Sequence, residues 1–439
     1  MIDLEWYVAL FFIILGLFFF FAAGLPIALG MGLVGFFGLF LLASPHIALE
    51  TFGMMLYTAP VNFLLLAVPL FVLMAQIIIF TGIASDLYDS MEKLFAGFRA
   101  GLALASIGAG TAFAAVTGSG TANSATIGPV AMREMITRGY DKKLAAGSVA
   151  AAGGLAAIIP PSILFILYGY IAEVSVAKLF MAGLIPGLIM AAGYSAYVIL
   201  LVKLKPSVAP PLPEPVGLKE RLSPLIKIWP VVLLAALILG SMYGGVTTPT
   251  EAAAVGVLGA LILSFIYRKF TLEKFYEAIK ATAKTTSFVL LIVVTALMFG
   301  FLMSFLRIPW RFTEAAVANE FSPLLLLLSA VMGILLLSTV MSGAPLILVI
   351  VPIVLPAMLQ AGYDPIWLGV VLGIVVQMGE TTPPVGMILF VITGVGKPYG
   401  VTFWDATAGA VPFLLADLLA VALVIAFPVL AMWIPNTMG

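Results

Sequence analysis

The stretch Thr117 to Pro161, TGSGTANSATIGPVAMREMITRGYDKKLAAGSVAAAGGLAAIIPP, returns in altered form 223 positions later. Ser119-Gly120 becomes Ser342-Gly343, Pro129 becomes Pro352, Gly139-Tyr140-Asp141 becomes Gly362-Tyr363-Asp364, and Pro160-Pro161 becomes Pro383-Pro384. The same offset joins Pro26 to Pro249. With a three-residue insertion, Ala182-Gly183 and Pro186 answer to Ala408-Gly409 and Pro412. Four of the eight prolines between Pro26 and Pro186 match at one offset in a chain with 28 prolines among 439 residues, so chance is a poor explanation. Whatever the fold is, it is built twice.

The medium follows from composition. A chain that is 63% hydrophobic and 9% charged, with mean hydropathy +1.22, has more apolar surface than a soluble core can hide. Apolar runs of about 20 residues recur, the length of a spanning helix, and the alternation of a β-barrel is absent. The reading is an all-α polytopic membrane protein. Twenty basic residues balance twenty acidic ones, which argues against nucleic acid as a partner. With no cysteine and the single His46 placed at a solvated loop, thiolate chemistry, histidine metal sites and catalytic triads fall away, and no enzyme is expected. Met1 to Glu5 carries no basic run, so the first apolar segment reads as a span rather than a signal peptide.

The spans are expected at Trp6–Ala23, Pro26–Ala43 and Val61–Thr81, with Thr51–Pro60 dipping in without crossing. Asp86 to Arg99 has Leu87, Met91, Leu94 and Phe95 on one helical face and charges elsewhere, the pattern of an interfacial helix. Residues 101–137 read as a re-entrant hairpin with its tip at Thr117–Thr121, and residues 144–171 as a helix broken at Pro160-Pro161, since two prolines cannot sit in an unbroken helix interior. Lys178–Val202 closes a first repeat, 1–202. Lys203 to Lys227, with six prolines and five basic residues, is a solvated linker. The second repeat, 228–439, carries spans at Ile228–Tyr243 and Pro249–Tyr267, an amphipathic connector Arg268–Lys284 and a span Thr285–Leu306. An interfacial Trp310–Phe321 follows, then a hairpin at 324–360 with its tip at Met341–Pro345, a helix at 365–395 broken at Pro383-Pro384, and a closing span ending at Trp433.

Sixteen of the twenty basic residues fall in the 83–100 loop, the base of the first hairpin, the linker and the 268–284 connector, whereas Ala361–Asp364 at the second base has none. By the positive-inside rule the halves are inverted, the first hairpin entering from the cytoplasm and the second from outside, with both termini outside. Arg307 and Arg311 then lie outside, against the trend.

Inversion brings the two tips and two breaks to one depth near the bilayer midplane. Each break frees backbone groups that cost several kcal/mol if left unsatisfied in hydrocarbon. Unwound carbonyls suit Na⁺ and helix N-termini suit a carboxylate. One cation site per half is expected, formed by Gly118, Ser119 and Asn123 near Pro160, and by Ser342 and Gly343 near Thr381 and Thr382; Thr121, Ser124, Ser162 and Glu380 are the candidate substrate residues. The competing reading of such small residues is close helix packing. Glu251 in TPTEAAA is a candidate helix cap, Asp405 a helix start and Asp417 a packing partner.

The blocks GSGTANSATIGPVAMREMITRGYD, AAIIPPSILFILYGY, KLFMAGLIPG, TTPTEAAAVG, GYDPIWLGVV, ETTPPVGMILFV and VPFLLADLLA, in this order, resemble the large membrane subunit of tripartite ATP-independent periplasmic (TRAP) transporters across nearly the whole chain. The resemblance implies a Na⁺-coupled elevator-type importer in a bacterial or archaeal cytoplasmic membrane. It also implies a separate small four-helix membrane subunit, and a periplasmic binding protein that delivers an organic acid. Na⁺ is the coupling ion and no other cofactor is implied. The second tip reads Met-Ser-Gly where the family often has Met-Asp, and Glu380 stands where apolar residues are usual, as though a carboxylate had moved from tip to break. Neither tip carries a basic residue, so amides and hydroxyls are expected to hold the solute. A stand-alone Na⁺/dicarboxylate symporter of related hairpin architecture is the alternative. The absence of a GxxxxGK[ST] pattern removes ATP as direct driver, and tips that plug the midplane argue against a channel.

Overall fold

The computed structural model describes residues 6–210, 217, 220–221, 223–318 and 321–438. Met1 to Glu5, parts of the linker and positions 319–320 of the 310–321 segment therefore lie outside the described residues. Among those described there are helices and no strand. The first half runs α1 (Trp6–Ala22), α2 (Ile27–Leu42), α3 (Pro45–Thr58), α4 (Ala67–Thr81), α5 (Ile83–Leu94), α6 (Gly101–Thr117), α7 (Gly120–Thr137), α8 (Lys142–Gly154), α9 (Ile163–Ala172) and α10 (Val176–Leu204). The second runs α11 (Trp229–Tyr243), α12 (Pro249–Ile266), α13 (Leu272–Phe305), α14 (Ile308–Ala318), α15 (Pro323–Ser338), α16 (Gly343–Gln360), α17 (Pro365–Glu380), α18 (Met387–Gly396), α19 (Phe403–Ala410), α20 (Leu414–Ala426) and α21 (Val429–Thr437). Seven helical segments of the described residues are long and apolar enough to cross a membrane.

The duplicated Gly-Tyr-Asp motif has a local cause. Gly139 and Gly362 end hairpin arms in the left-handed region at φ +85° and +86°, which a glycine adopts without penalty. Two residues on, Asp141 accepts from the N–H groups of Lys143 (2.8 Å) and Leu144 (3.2 Å), and Asp364 from those of Ile366 (2.8 Å) and Trp367 (3.0 Å). Each motif thus stops one helix and caps the next. Glu251 closes a capping box with Thr248, and Asp405 one with Thr402.

Three boundaries differ from the sequence reading. Ser44 caps α3 by accepting from Ile47 N (3.2 Å), so the helix starts at Pro45 rather than Thr51 and His46 lies in its first turn, not a loop. His46 is exposed, with Nδ1 3.0 Å from Glu50 Oε2. The connector 268–284 and the following span form one helix, α13, because no glycine or proline interrupts Leu272 to Phe299. At 34 residues it is about 51 Å long, well beyond the ~30 Å hydrocarbon core, so its charged first turns project. The closing span is also not continuous to Trp433. It ends at Ala426, because the residue before Pro428 is excluded from helical backbone.

Helix α13 is the spine. It packs on α2, on α4 and on the hairpin arm α16. Gly32, Gly35 and Gly38 form a stripe on α2 that faces it: a Cβ at Gly35 would stand 2.9 Å from the Phe299 backbone nitrogen. Small residues here allow the backbones to meet, as membrane helices require in the absence of a hydrophobic drive between them. The two halves brace each other. Arm α16 of the second hairpin packs on α9 beyond the first break, and arm α7 of the first hairpin on α18 beyond the second.

Three of the four basic segments meet on one face. Arg99 Nη2 donates to Pro206 O (2.8 Å), Arg221 Nε to Leu94 O (3.2 Å), Asp141 N to Val208 O (3.0 Å), and Arg138 bridges Glu92 and Glu134 (2.7 Å each).

Candidate functional site

The arms α6, α7, α15 and α16 have 16 to 18 residues, about 24–27 Å each against a ~30 Å core, and of the four only α16 is among the segments long and apolar enough to cross a membrane. The first turnaround is Gly118-Ser119. Gly118 sits at φ +63°, Ser119 is extended, and α7 starts at once. The second turnaround is Thr339–Ser342.

Each tip is tied by backbone to the break of its own half. Ile163 N donates to Gly118 O (3.1 Å) across the first break, and Val385 N donates to Thr339 O (3.1 Å) across the second. Both double prolines, Pro160-Pro161 and Pro383-Pro384, have cis peptide bonds. The freed groups are partly satisfied by side chains. Ser162 Oγ donates to Ala157 O (2.6 Å) and caps α9 by accepting from Phe165 N (3.3 Å). Thr381 and Thr382 turn their hydroxyls back onto Met378 O (3.0 and 2.6 Å).

Between the tips lies a cavity of about 230 Å³. Gly118, Ser119 and Thr121 line it from the first hairpin, Ser342 and Gly343 from the second, and Glu380 from the end of α17. Glu380 Oε1 accepts from Gly343 N (3.0 Å), so the carboxylate at the break reaches the tip of the second hairpin. Helix α13 supplies the far wall through Thr285, Phe288, Val289 and Ile292.

Six of the sequence-derived candidates therefore share one cavity: Gly118, Ser119, Thr121, Ser342, Gly343 and Glu380. The other six, Asn123, Ser124, Pro160, Ser162, Thr381 and Thr382, lie outside its lining. Asn123 is fully buried. Its Nδ2 donates to Gly110 O (2.9 Å) and Ala152 O (3.2 Å), and its Oδ1 has no partner. Ser124 is buried without a partner beside Gly153, and Pro160 is buried in the break.

Sequence reasoning passed over the α13 wall and one buried group, Gln377. Gln377 occupies the repeat position of Gly154 and packs directly against it. A side chain in one half fills the space a glycine leaves in the other, and the only sequence signal was this unequal pair. Asp417 accepts a short hydrogen bond from Tyr194, both being buried. We expect Tyr194→Phe, which removes this donor from a carboxylate without solvent, to lower stability by about 1–3 kcal/mol, read as the unfolding midpoint in detergent.

A family model described as "Tripartite ATP-independent periplasmic transporter, DctM component" matches residues 14–430. The chain belongs to the DctM component of the TRAP transporters. It is 33% identical over 401 residues to the C4-dicarboxylate TRAP transporter large permease protein of Pseudomonas aeruginosa, covering 91% of this chain and 92% of that one. It is 33% identical over 435 residues to the corresponding protein of Vibrio cholerae (94% of each). The ectoine TRAP transporter large permease protein of Halomonas elongata is 30% identical over 414 residues (94% and 95%). Among solved structures the YdaH transporter of Alcanivorax borkumensis superposes with TM-score 0.59 over 90% of each chain at 14% identity, a likeness of fold alone. This TRAP permease chain thus joins a large-permease family whose members serve various organic solutes, and the relatives are permeases, not enzymes.

Proposed function

We propose that this permease is the Na⁺-coupled translocation subunit of an importer in the cytoplasmic membrane. It takes an organic acid from a periplasmic binding protein, works beside a small four-helix membrane subunit, and moves its load by an elevator motion. The observation that carries the reading is the single cavity framed by both hairpin tips, Glu380 and the wall of α13. A tip pair cross-braced to both broken helices makes one rigid block, while α13 also packs on α2 and α4. Sliding that block along α13 would carry the cavity from one face to the other without unfolding either tip. The gathering of basic segments on one face supports inverted halves with that face cytoplasmic and both termini outside.

Unwound carbonyls at the breaks, with Ser119 and Ser342 beside them, supply the oxygen donors a Na⁺ site needs. Losing one hydroxyl ligand costs about 1 kcal/mol, so Ser119→Ala and Ser342→Ala should each raise the half-saturating Na⁺ concentration about fivefold. Unchanged Na⁺ activation in both would remove these side chains from the sites. The deciding experiment is reconstitution in proteoliposomes with the cognate small subunit and binding protein. Uptake should require an inward Na⁺ gradient and the binding protein. Uptake by this chain alone would select the stand-alone symporter instead.

A further inference from the structure

Glu380 is an odd group to find where an anionic solute is meant to sit. It is partly exposed to the cavity, and the cavity lining contains no Lys, Arg or His. None of the ion pairs of the described residues involves it. Oε1 has the Gly343 N–H, while Oε2 faces the first hairpin, 3.5 Å from where a Cβ on Gly120 would lie. One N–H bond does not neutralise a carboxylate away from bulk water, and a second anion brought into the same small space would add like-charge repulsion.

We infer that the solute held between the tips carries a positively charged nitrogen that pairs with Glu380. This rests on the transporter reading above and adds the charge of the load. Two further features of the cavity fit the inference. Phe288 is an aromatic residue of the lining, and aromatic rings attract ammonium and amidinium groups. Ser119 and Thr121 share one hydrogen bond (3.1 Å), which leaves one hydroxyl proton of that pair, with those of Ser342 and Thr285, as donors for a carboxylate elsewhere on the molecule. A bare Na⁺ is a poor partner for Glu380: it needs a closed shell of oxygens, and Ile163, Leu164, Val376, Met387 and Ile292 bring only apolar side chains to the lining. The solute class is then a small zwitterionic acid, bearing carboxylate and ammonium or amidinium together, rather than a simple dicarboxylate.

The test uses the purified full-length permease with its small subunit, so that the binding protein's own selectivity does not enter. Unfolding midpoints are measured in saturating Na⁺ against a panel of small amino acids and cyclic amidinium acids, each paired with a carboxylate of matched length, such as 4-aminobutyrate with glutarate. At least one zwitterion should stabilise the wild type and its carboxylate partner should not. Glu380→Gln should weaken that zwitterion at least about tenfold, while Glu380→Asp retains part of the preference and reports on folding if the glutamine variant is unstable. The inference is overturned if no zwitterion shifts the midpoint, if carboxylates protect equally well, or if Glu380→Gln leaves zwitterion affinity unchanged. It is equally overturned if the variant loses stabilisation by Na⁺ in the absence of solute, which would make Glu380 an ion ligand. Failure of the transporter reading looks different: neither Na⁺ nor any solute would shift the wild-type midpoint, and no Na⁺-driven uptake would appear in liposomes.

Discussion

Gly409→Val is expected to leave little folded protein. Helices α8 and α19 meet backbone to backbone at this point, where Gly147 and Gly409 face each other. A Cβ on Gly409 would sit on the carbonyl oxygen of Lys143, and one on Gly147 on the carbonyl of Gly409. Neither obstacle is a flexible side chain that could turn aside, so the helices themselves must separate. Their separation would open the packing of α8 against α6 and α7 and so disturb the first hairpin. We expect a loss of about 3 kcal/mol or more, the upper end of the overpacking range, with Gly409→Ala intermediate. The measurement is the unfolding midpoint of purified protein in detergent. Gly394→Ala is the control: nothing lies within 4 Å of its Cβ, and alanine is the better helix former, so the midpoint should hold or rise. Equal behaviour of the 409 and 394 variants would refute the close approach of α8 and α19.

The second large effect is on function rather than folding. Gly118→Ala should reduce uptake in proteoliposomes by more than tenfold while the protein still folds. Two costs coincide at this tip. The backbone at φ +63° disfavours any residue with a Cβ by about 1–2 kcal/mol, and the new methyl would lie 2.7 Å from Pro161 O, itself part of the break. The tip must move off the broken helix, which loosens the Ile163 N–H to Gly118 O bond and the oxygens around it. Gly139→Ala separates the two costs. Gly139 has φ +85° but open space around its Cβ, at the base of the same hairpin. That variant carries the backbone cost alone and should transport normally. Equal transport defects in the two would show that backbone strain, not tip-to-break contact, is what matters.

Much of this architecture was legible along the chain because it is punctuated by residues with one conformational meaning. Pro160-Pro161 and Pro383-Pro384 marked both breaks, Gly118 the first turnaround, and Gly-Tyr-Asp both hairpin bases. The failures have physical causes as well. Helix α13 runs through the expected connector boundary because a change from charged to apolar composition does not end a helix when no breaker is present. The shift of α3 to Pro45 came from a Ser44 cap that hydropathy does not register.

The site was legible only in part. Sequence alone determined that the chain lies in a membrane and that its helices are interrupted at Gly118 and at both double prolines, because hydropathy, glycine and proline act locally. Which oxygens share a cavity was decided by packing. Ser162, Thr381 and Thr382 are chemically as suitable as Ser119 or Ser342, yet their hydroxyls are spent on neighbouring carbonyls, whereas Glu380 reaches the tip of the second hairpin. Which way a side chain points across a break depends on the helices that press on it from both halves, and residues far apart in the chain set that direction.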